Sequence, residues 1–194
     1  KTIEQAVQTS LLLALICGLA TTILGELVIS QVLSLMNIPA DVFPHALDYM
    51  RIYLIGMPAI LLYNFEASVF RSIGQTKIPL AALAVSGFIN VLLNLFFVIV
   101  VHLSIAGVAI ATVISNIISS LILFVILLKT SSPVRLSLHN LRISRSIAGR
   151  ILRIGIPAGL QSSVFAIANI IVQTAINSLG TVVMAASSAA FNVE

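Results

Sequence analysis

The sequence predicts an all-α fold, a polytopic bundle of membrane-spanning helices, and three observations carry that expectation. Hydrophobic residues make up 59% of the 194 and charged residues only 8%, against about 25% charged in a soluble domain. The charges are clustered, so that residues 78–101, 103–128 and 154–193 contain none. A bilayer core of about 30 Å is crossed by roughly 20 apolar residues of helix, so these tracts are long enough to span. The third observation is that the basic residues collect on one side once the spans alternate in direction.

The first span covers residues 6–33, with Glu26 late enough to reach an interface. Cys17 lies inside its apolar run and reads as a small buried residue; one cysteine provides neither a disulfide nor a metal framework. The flank ahead of this span includes the acid Glu4, and no small-residue cleavage site follows, so it is not a signal peptide. Asn37–Asp48, with Pro39 and Pro44, reads as a polar turn. The second span covers 49–70 and is open to a kink at Pro58. Arg71–Lys77 is a tight basic turn in which Gly74 can take positive φ. Pro79 suits the first turn of the next helix, where its missing N–H costs nothing.

The third span is 79–101. His102–Ser104 is so short a connection that the fourth span, 105–128, must be its antiparallel neighbour. Residues 129–150 form a basic linker. The segment from Lys129 to Arg153 holds six basic residues and no acid, and Leu138, Leu141 and Ile147 allow part of it to lie along a membrane surface. A fifth span covers 151–179. Ser178–Thr181 breaks the chain, and 182–194 begins another span. Lys1 opens the chain and Phe191–Glu194 reads as a helix just begun, so the expectation is a piece of a longer protein. With the linker cytoplasmic, nine of the ten basic residues fall on that side and only Arg51 on the other. The net charge of +4 is therefore a topology signal and does not point to nucleic acid.

Polar residues inside spans are expensive, and their pattern is informative. In the third span Ser86, Asn90 and Asn94 share one helical face. In the fifth, Ser162, Ala166, Asn169, Gln173 and Asn177 share one face, flanked by Gln161. In the second, Asn64, Ser68 and Arg71 share a face and Glu66 lies on another. These amides either bond between helices, at about 1 kcal/mol each, or line a water-accessible path for a solute or ion. Gly107, Ala111, Ser115 and Ser119 form a small-residue face for close helix packing, with Thr112, Asn116 and Ser120 beside it. Glu66 has two readings: it reaches the interface and pairs with Arg71 or Lys77, or it is a buried group that responds to protons or sodium. No Walker loop, GxSxG, HExxH or dinucleotide fingerprint occurs, so no enzyme is expected. His45, His102 and His139 are far apart and near loops, so neither a metal site nor a cofactor is expected.

Tyr63-Asn64-Phe65-Glu66, followed by Arg71-Ser72-Ile73-Gly74-Gln75-Thr76-Lys77-Ile78-Pro79, resembles the turn between helices four and five of the multidrug-and-toxin-extrusion family. Ile89–Asn94 resembles that family's fifth helix, Gly107–Thr112 the start of its sixth, and Gly155–Gln161 the start of its seventh. The resemblance covers nearly the whole chain in order. It implies twelve helices in two six-helix lobes, alternating access, and export of small organic, often cationic, compounds across the cytoplasmic membrane, driven by sodium or protons. The chain would then supply helices three to seven and the start of eight: residues 1–128 in the first lobe, 129–150 between lobes, and 151–194 in the second. Some family members carry a coupling carboxylate on helix seven. Here the span carries no carboxylate, and Gln161, Phe165, Asn169 and Gln173 occupy its inner half, so the resemblance assigns no coupling ion. Two rivals are weighed. A flippase for lipid-linked oligosaccharides favours basic residues within spans, where this chain has mainly amides. A non-transporting membrane scaffold does not need amide stripes on two helices.

Overall fold

The computed structural model describes residues 2–137 and 141–191; Leu138 and His139, singled out above, lie outside the described residues. Seven α-helices follow one another: α1 Thr2–Leu35, α2 Phe43–Ile55, α3 Met57–Ser72, α4 Lys77–Leu95, α5 Ser104–Lys129, α6 Arg145–Asn177 and α7 Thr181–Phe191. No strand occurs among the described residues. Four helices are long and apolar enough to cross a membrane, and α2 with α3 makes a fifth if the bent pair is one span. The protein is an all-α membrane helix bundle.

The helix boundaries follow local chemistry. Phe43–Asp48 is the first part of α2 rather than a turn, because Pro44 sits where a helix has no N–H to bond. The axis bends by 49° between α2 and α3. The break falls at Gly56, whose amide bonds the Tyr53 carbonyl at 3.0 Å, and Pro58 enters the first turn beyond it. Past α3, Gly74 takes φ +76° and the Gln75 amide reaches back to the Phe70 carbonyl at 3.0 Å, an αL ending that satisfies the last carbonyls. The end of the third expected span widens into a π-helical turn over Phe96–Val100. His102 then turns the chain at φ +59°.

Helices α1 to α5 pack on one another around two apolar clusters. At the linker end, Val7 and Leu11 of α1, Ala67 and Phe70 of α3, Ala82 of α4, and Leu123 and Leu127 of α5 are buried together. Val134 and Leu136 complete this cluster, so the basic linker folds onto the bundle end instead of running only along a membrane surface. The Leu136 amide bonds the Leu127 carbonyl at 2.9 Å, and Gln8 Nε2 donates to the Ser137 carbonyl at 2.8 Å. Leu141 is exposed and Ile147 half-buried, the latter within α6, which starts at Arg145 and not at Ile151. At the opposite end Ile29 and Leu33 pack with Leu54.

Helix α6 is the exception. Among the described helices it packs on α1 and α7 alone. It runs in the same direction as α1 and is tied to it near both ends: the Ser144 amide donates to Thr9 Oγ1 at 3.1 Å, and Asn177 Nδ2 donates to the Met36 carbonyl at 2.9 Å.

Candidate functional site

The polar residues singled out in the sequence fall into three groups. The first is a groove between α1 and α3. Asn64 and Ser68 are exposed on α3 and, with Ser10 and Ser72, give polar points to a cavity of about 450 Å³. Its remaining walls are apolar, including Val7, Phe65, Val69, Val134 and Ile151. Asn64 Nδ2 bonds its own helix at the Ile60 carbonyl, 2.9 Å away, and Ser68 Oγ donates to the Asn64 carbonyl at 2.8 Å. An apolar wall with few polar anchors is the usual build of a site for a small organic molecule. Ser10 and Ser72 carried no signal in the sequence, since each is one hydroxyl near a helix end.

Glu66 does not join that groove. Its side chain is 0% exposed, on the side of α3 that meets α5. Ser120 Oγ donates to Glu66 Oε2 at 3.1 Å, and Oε1 has no hydrogen-bond partner. Of the two readings of Glu66, the pairing with Arg71 or Lys77 does not form: Arg71 Nε turns back to the Ala67 carbonyl at 3.2 Å. The reason is helical phase, because Arg71 shares the exposed face of Asn64 and Ser68 while Glu66 lies off it. An ion pair does form elsewhere, between Arg51 Nε and Glu26 Oε2 at 3.7 Å. It links α1 to α2, so Glu26 finds a cation on the neighbouring helix.

The second group lies in the seam between α4 and α5. Asn90 Nδ2 donates to Ser115 Oγ at 3.3 Å, and Asn94 Nδ2 donates to Asn90 Oδ1 at 3.1 Å. Ser86 is buried there, and Asn94 Oδ1 is buried without a partner. The small face of α5 supplies the other side: Gly107, Ala111, Ser115 and Ser119 are all buried. A Cβ on Gly107 would lie 2.8 Å from Phe97 Cβ, so the π-helical turn rests against that glycine. The stripe of α4 and the small face of α5 are thus two halves of one contact.

The third group is on α6. Gln161 and Asn169 are exposed. Gln173 Nε2 donates to Asn177 Oδ1 at 2.9 Å, and Asn177, 4% exposed, makes the bond to Met36 described above. The lower part of the stripe is therefore held against α1, and the upper part faces away from the described helices. The structure brings Asn90 to Asn94 and Gln173 to Asn177, and it leaves Asn64, Gln161 and Asn169 apart from both pairs.

Membrane-long helices, an amide-lined seam and a mainly apolar groove describe a multi-pass membrane protein. The chain belongs to the MatE family, the multidrug-and-toxin-extrusion transporters: that family's model matches residues 1–96, and relatives and solved structures of the family match most of the chain. It is 29% identical over 186 residues to the probable multidrug resistance protein YoeA of Bacillus subtilis, covering 92% of this chain and 40% of that protein. It is 32% identical over 165 residues to the probable multidrug resistance protein YpnP of the same organism, covering 84% of this chain and 35% of that protein. A crystal structure of MATE in the bent conformation superimposes with a TM-score of 0.75 at 25% identity, over 86% of this chain and 42% of that one. An inward-facing multidrug resistance MATE transporter of the MOP superfamily gives 0.70 at 26% identity, over 78% and 34%. The chain thus spans about two fifths of the length of the curated relatives it matches. The family is one of transporters and not of enzymes.

Proposed function

We propose that this chain is the helix-three-to-seven portion of a secondary antiporter that exports small organic, often cationic, compounds, driven by inward sodium or protons. Residues 1–128 belong to its first lobe, 129–150 to the cytoplasmic linker between lobes, and 151–194 to the second lobe. One observation carries the reading: the groove beside Asn64, about 450 Å³ and mainly apolar, sits on a bundle whose fold is that of known multidrug transporters. Such a wall desolvates an organic cation, while scattered amides and hydroxyls orient it without binding it too tightly for release.

In this proposal Asn64, Gln161, Asn169 and Gln173 line the path. Asn94 belongs with them through its free oxygen, and Asn90 acts through its bond to Ser115 and so holds the seam. Asn177 fixes the end of α6. The test uses the full-length protein in everted membrane vesicles with a panel of fluorescent organic cations. Asn64→Leu and Asn169→Leu should each weaken export of some panel members about fivefold, the effect of losing about 1 kcal/mol, with expression unchanged. A full-length protein that moves no member of the panel would overturn the reading.

A further inference from the structure

We propose that Glu66 and Ser120 form a proton-exchange site inside the α1–α5 bundle, and that this site couples protons to transport; the coupling rests on the transport reading above. Glu66 is 0% exposed, and a buried ionised carboxylate needs a counter-charge or a full set of hydrogen bonds. It has neither. Its polar contact is the 3.1 Å bond to Ser120 Oγ, and Oε1 is unpartnered.

The charged groups on the elements around it are engaged elsewhere or stand at helix ends, and α1 adds one free, half-buried thiol, Cys17. On α3 itself, Tyr63 donates to the Pro79 carbonyl at 3.2 Å and Arg71 to the Ala67 carbonyl. On α1, Glu4 lies in the first turn and Glu26 is paired with Arg51 of α2. Lys77 opens α4 and Lys129 closes α5. No ion pair to Glu66 forms among the described residues. A hard metal cation is a poor occupant, because it calls for about six oxygen ligands and the site offers one carboxylate and one hydroxyl.

A proton is the occupant that fits. With the acid proton on Oε2, the 3.1 Å contact runs from Glu66 to Ser120, whose hydroxyl can accept as well as donate. Oε1 then becomes the carbonyl oxygen of a neutral acid, far cheaper to bury unpartnered than a shared negative charge. Ser120 also borders a second cavity of about 210 Å³ with Leu15, Pro58, Ala59 and Leu62, whose walls are wholly apolar, so the hydroxyl stays directed at the carboxyl. A 49° break at Gly56 precedes the part of α3 that carries Glu66. When water reaches the carboxyl, the O–H bond of Glu66 breaks, its electron pair stays on the carboxylate, and the proton passes to water.

The experiment measures binding of a fluorescent organic cation to the full-length protein in lipid nanodiscs, as pH falls from about 8 to about 6 at fixed sodium. If one proton competes with one cation, affinity falls by up to about tenfold per pH unit. Glu66→Gln should bind at all pH values with a flat profile, and Glu66→Asp should keep a slope. Ser120→Ala, which removes the hydroxyl partner, should displace the profile along the pH axis. A Glu66→Gln profile as steep as the parent's overturns the proposal, as does a parent affinity that follows sodium instead of pH. If Glu66→Gln fails to fold, pH-difference infrared spectra of the parent and of Glu66→Asp decide: a protonated-carboxyl C=O band altered by the substitution supports the site, and an unaltered spectrum overturns it. A parent that binds no cation at any pH fails on the transport reading; a parent that binds with pH dependence untouched by Glu66→Gln fails on the proton site alone.

Discussion

Helices α1 to α5 pack on one another, whereas helix α6, with a mean hydropathy of 1.5 against 2.3, 2.4 and 2.5 for α1, α4 and α5, meets α1 and α7 alone among the described helices. In the first region, close contacts recur from end to end: Gly18 against Pro58, Gly25 against Leu54, Gly56 against Val113, and Gly107 against Phe97. Two apolar clusters and the amide–hydroxyl seam fill the rest. Helix α6 is free of such contacts along its glycines: a Cβ on Gly149, Gly155 or Gly159 would meet nothing within 4 Å. The Gln173 side chain bonds Asn177 within the helix, while the Ser144 amide and the Asn177 side chain tie its two ends to Thr9 and Met36. Within α1 to α5, small residues let neighbouring helices approach closely; the glycines of α6 have no such neighbour among the described helices.

The strongest way to break this comparison is Gly18→Leu. A Cβ at this position would lie 2.5 Å from Pro58 Cα, a backbone atom that no rotamer change can move. Overpacking costs about 1–3 kcal/mol where neighbours can yield, and here α1 and α3 must separate. The expected outcome is loss of folded protein in detergent, seen by size-exclusion chromatography. A stable, monodisperse variant would show that α1 and α3 are not in close contact. Next in size is Leu123→Ala in α5. Leu123 is completely buried in the cluster at the linker end, so truncation should cost about 2–5 kcal/mol, read from thermal unfolding in detergent. A change below about 0.5 kcal/mol would place that face toward lipid.

The sequence was most legible where chemistry is local. Uncharged tracts marked the spans, Gly74 marked the turn after α3, and the four-residue repeat from Gly107 to Ser119 marked a face that is buried. It was least legible where a residue's partner is distant. Glu66 and Ser120 each stood out alone, but nothing in their spacing of 54 residues says that they meet. The phase argument that separated Glu66 from Asn64 and Arg71 already weighed against pairing with Arg71, and the long reach of an arginine side chain obscured it. Val134 and Leu136 passed as part of a basic linker because Arg135 lies between them. A turn at Pro133–Val134 puts both apolar residues on the core and Arg135 outside, and two apolar residues are too few to announce it. For the amide stripes, sequence gave phase without depth: Asn90 faces α5, and Gln161 faces no described helix.

A smaller effect is expected at the tie between the two regions. Asn177→Leu removes the bond to the Met36 carbonyl and frees Gln173. An interhelical bond of this kind is worth about 1 kcal/mol, so the global unfolding temperature should shift only slightly. Amide hydrogen exchange should instead rise in the last turns of α6 and leave α3 and α5 unchanged. Equal acceleration in all three helices would mean that α6 is coupled to the bundle core.

The smallest effect, and the one that sharpens the comparison most, is expected from Ile167→Ala in α6. Ile167 is 58% exposed and no described helix covers it. In the 194-residue chain its truncation should change stability by less than about 0.5 kcal/mol, the usual range for a surface substitution. In a longer protein that carries a second lobe, α6 acquires neighbours, and the same truncation should cost more, toward the range for a buried aliphatic side chain. The two measurements differ only in whether those helices are present, so their difference reports burial contributed from outside this chain. Gln161→Leu provides the contrasting control. If Gln161 lines a wet path, its substitution stays near neutral for stability in both proteins while altering export in the longer one. An Ile167 cost that is equally small in both would place that side of α6 against lipid. An equally large cost at both Ile167 and Gln161 in the longer protein would make α6 a helix packed on all sides, with no face left for a solute.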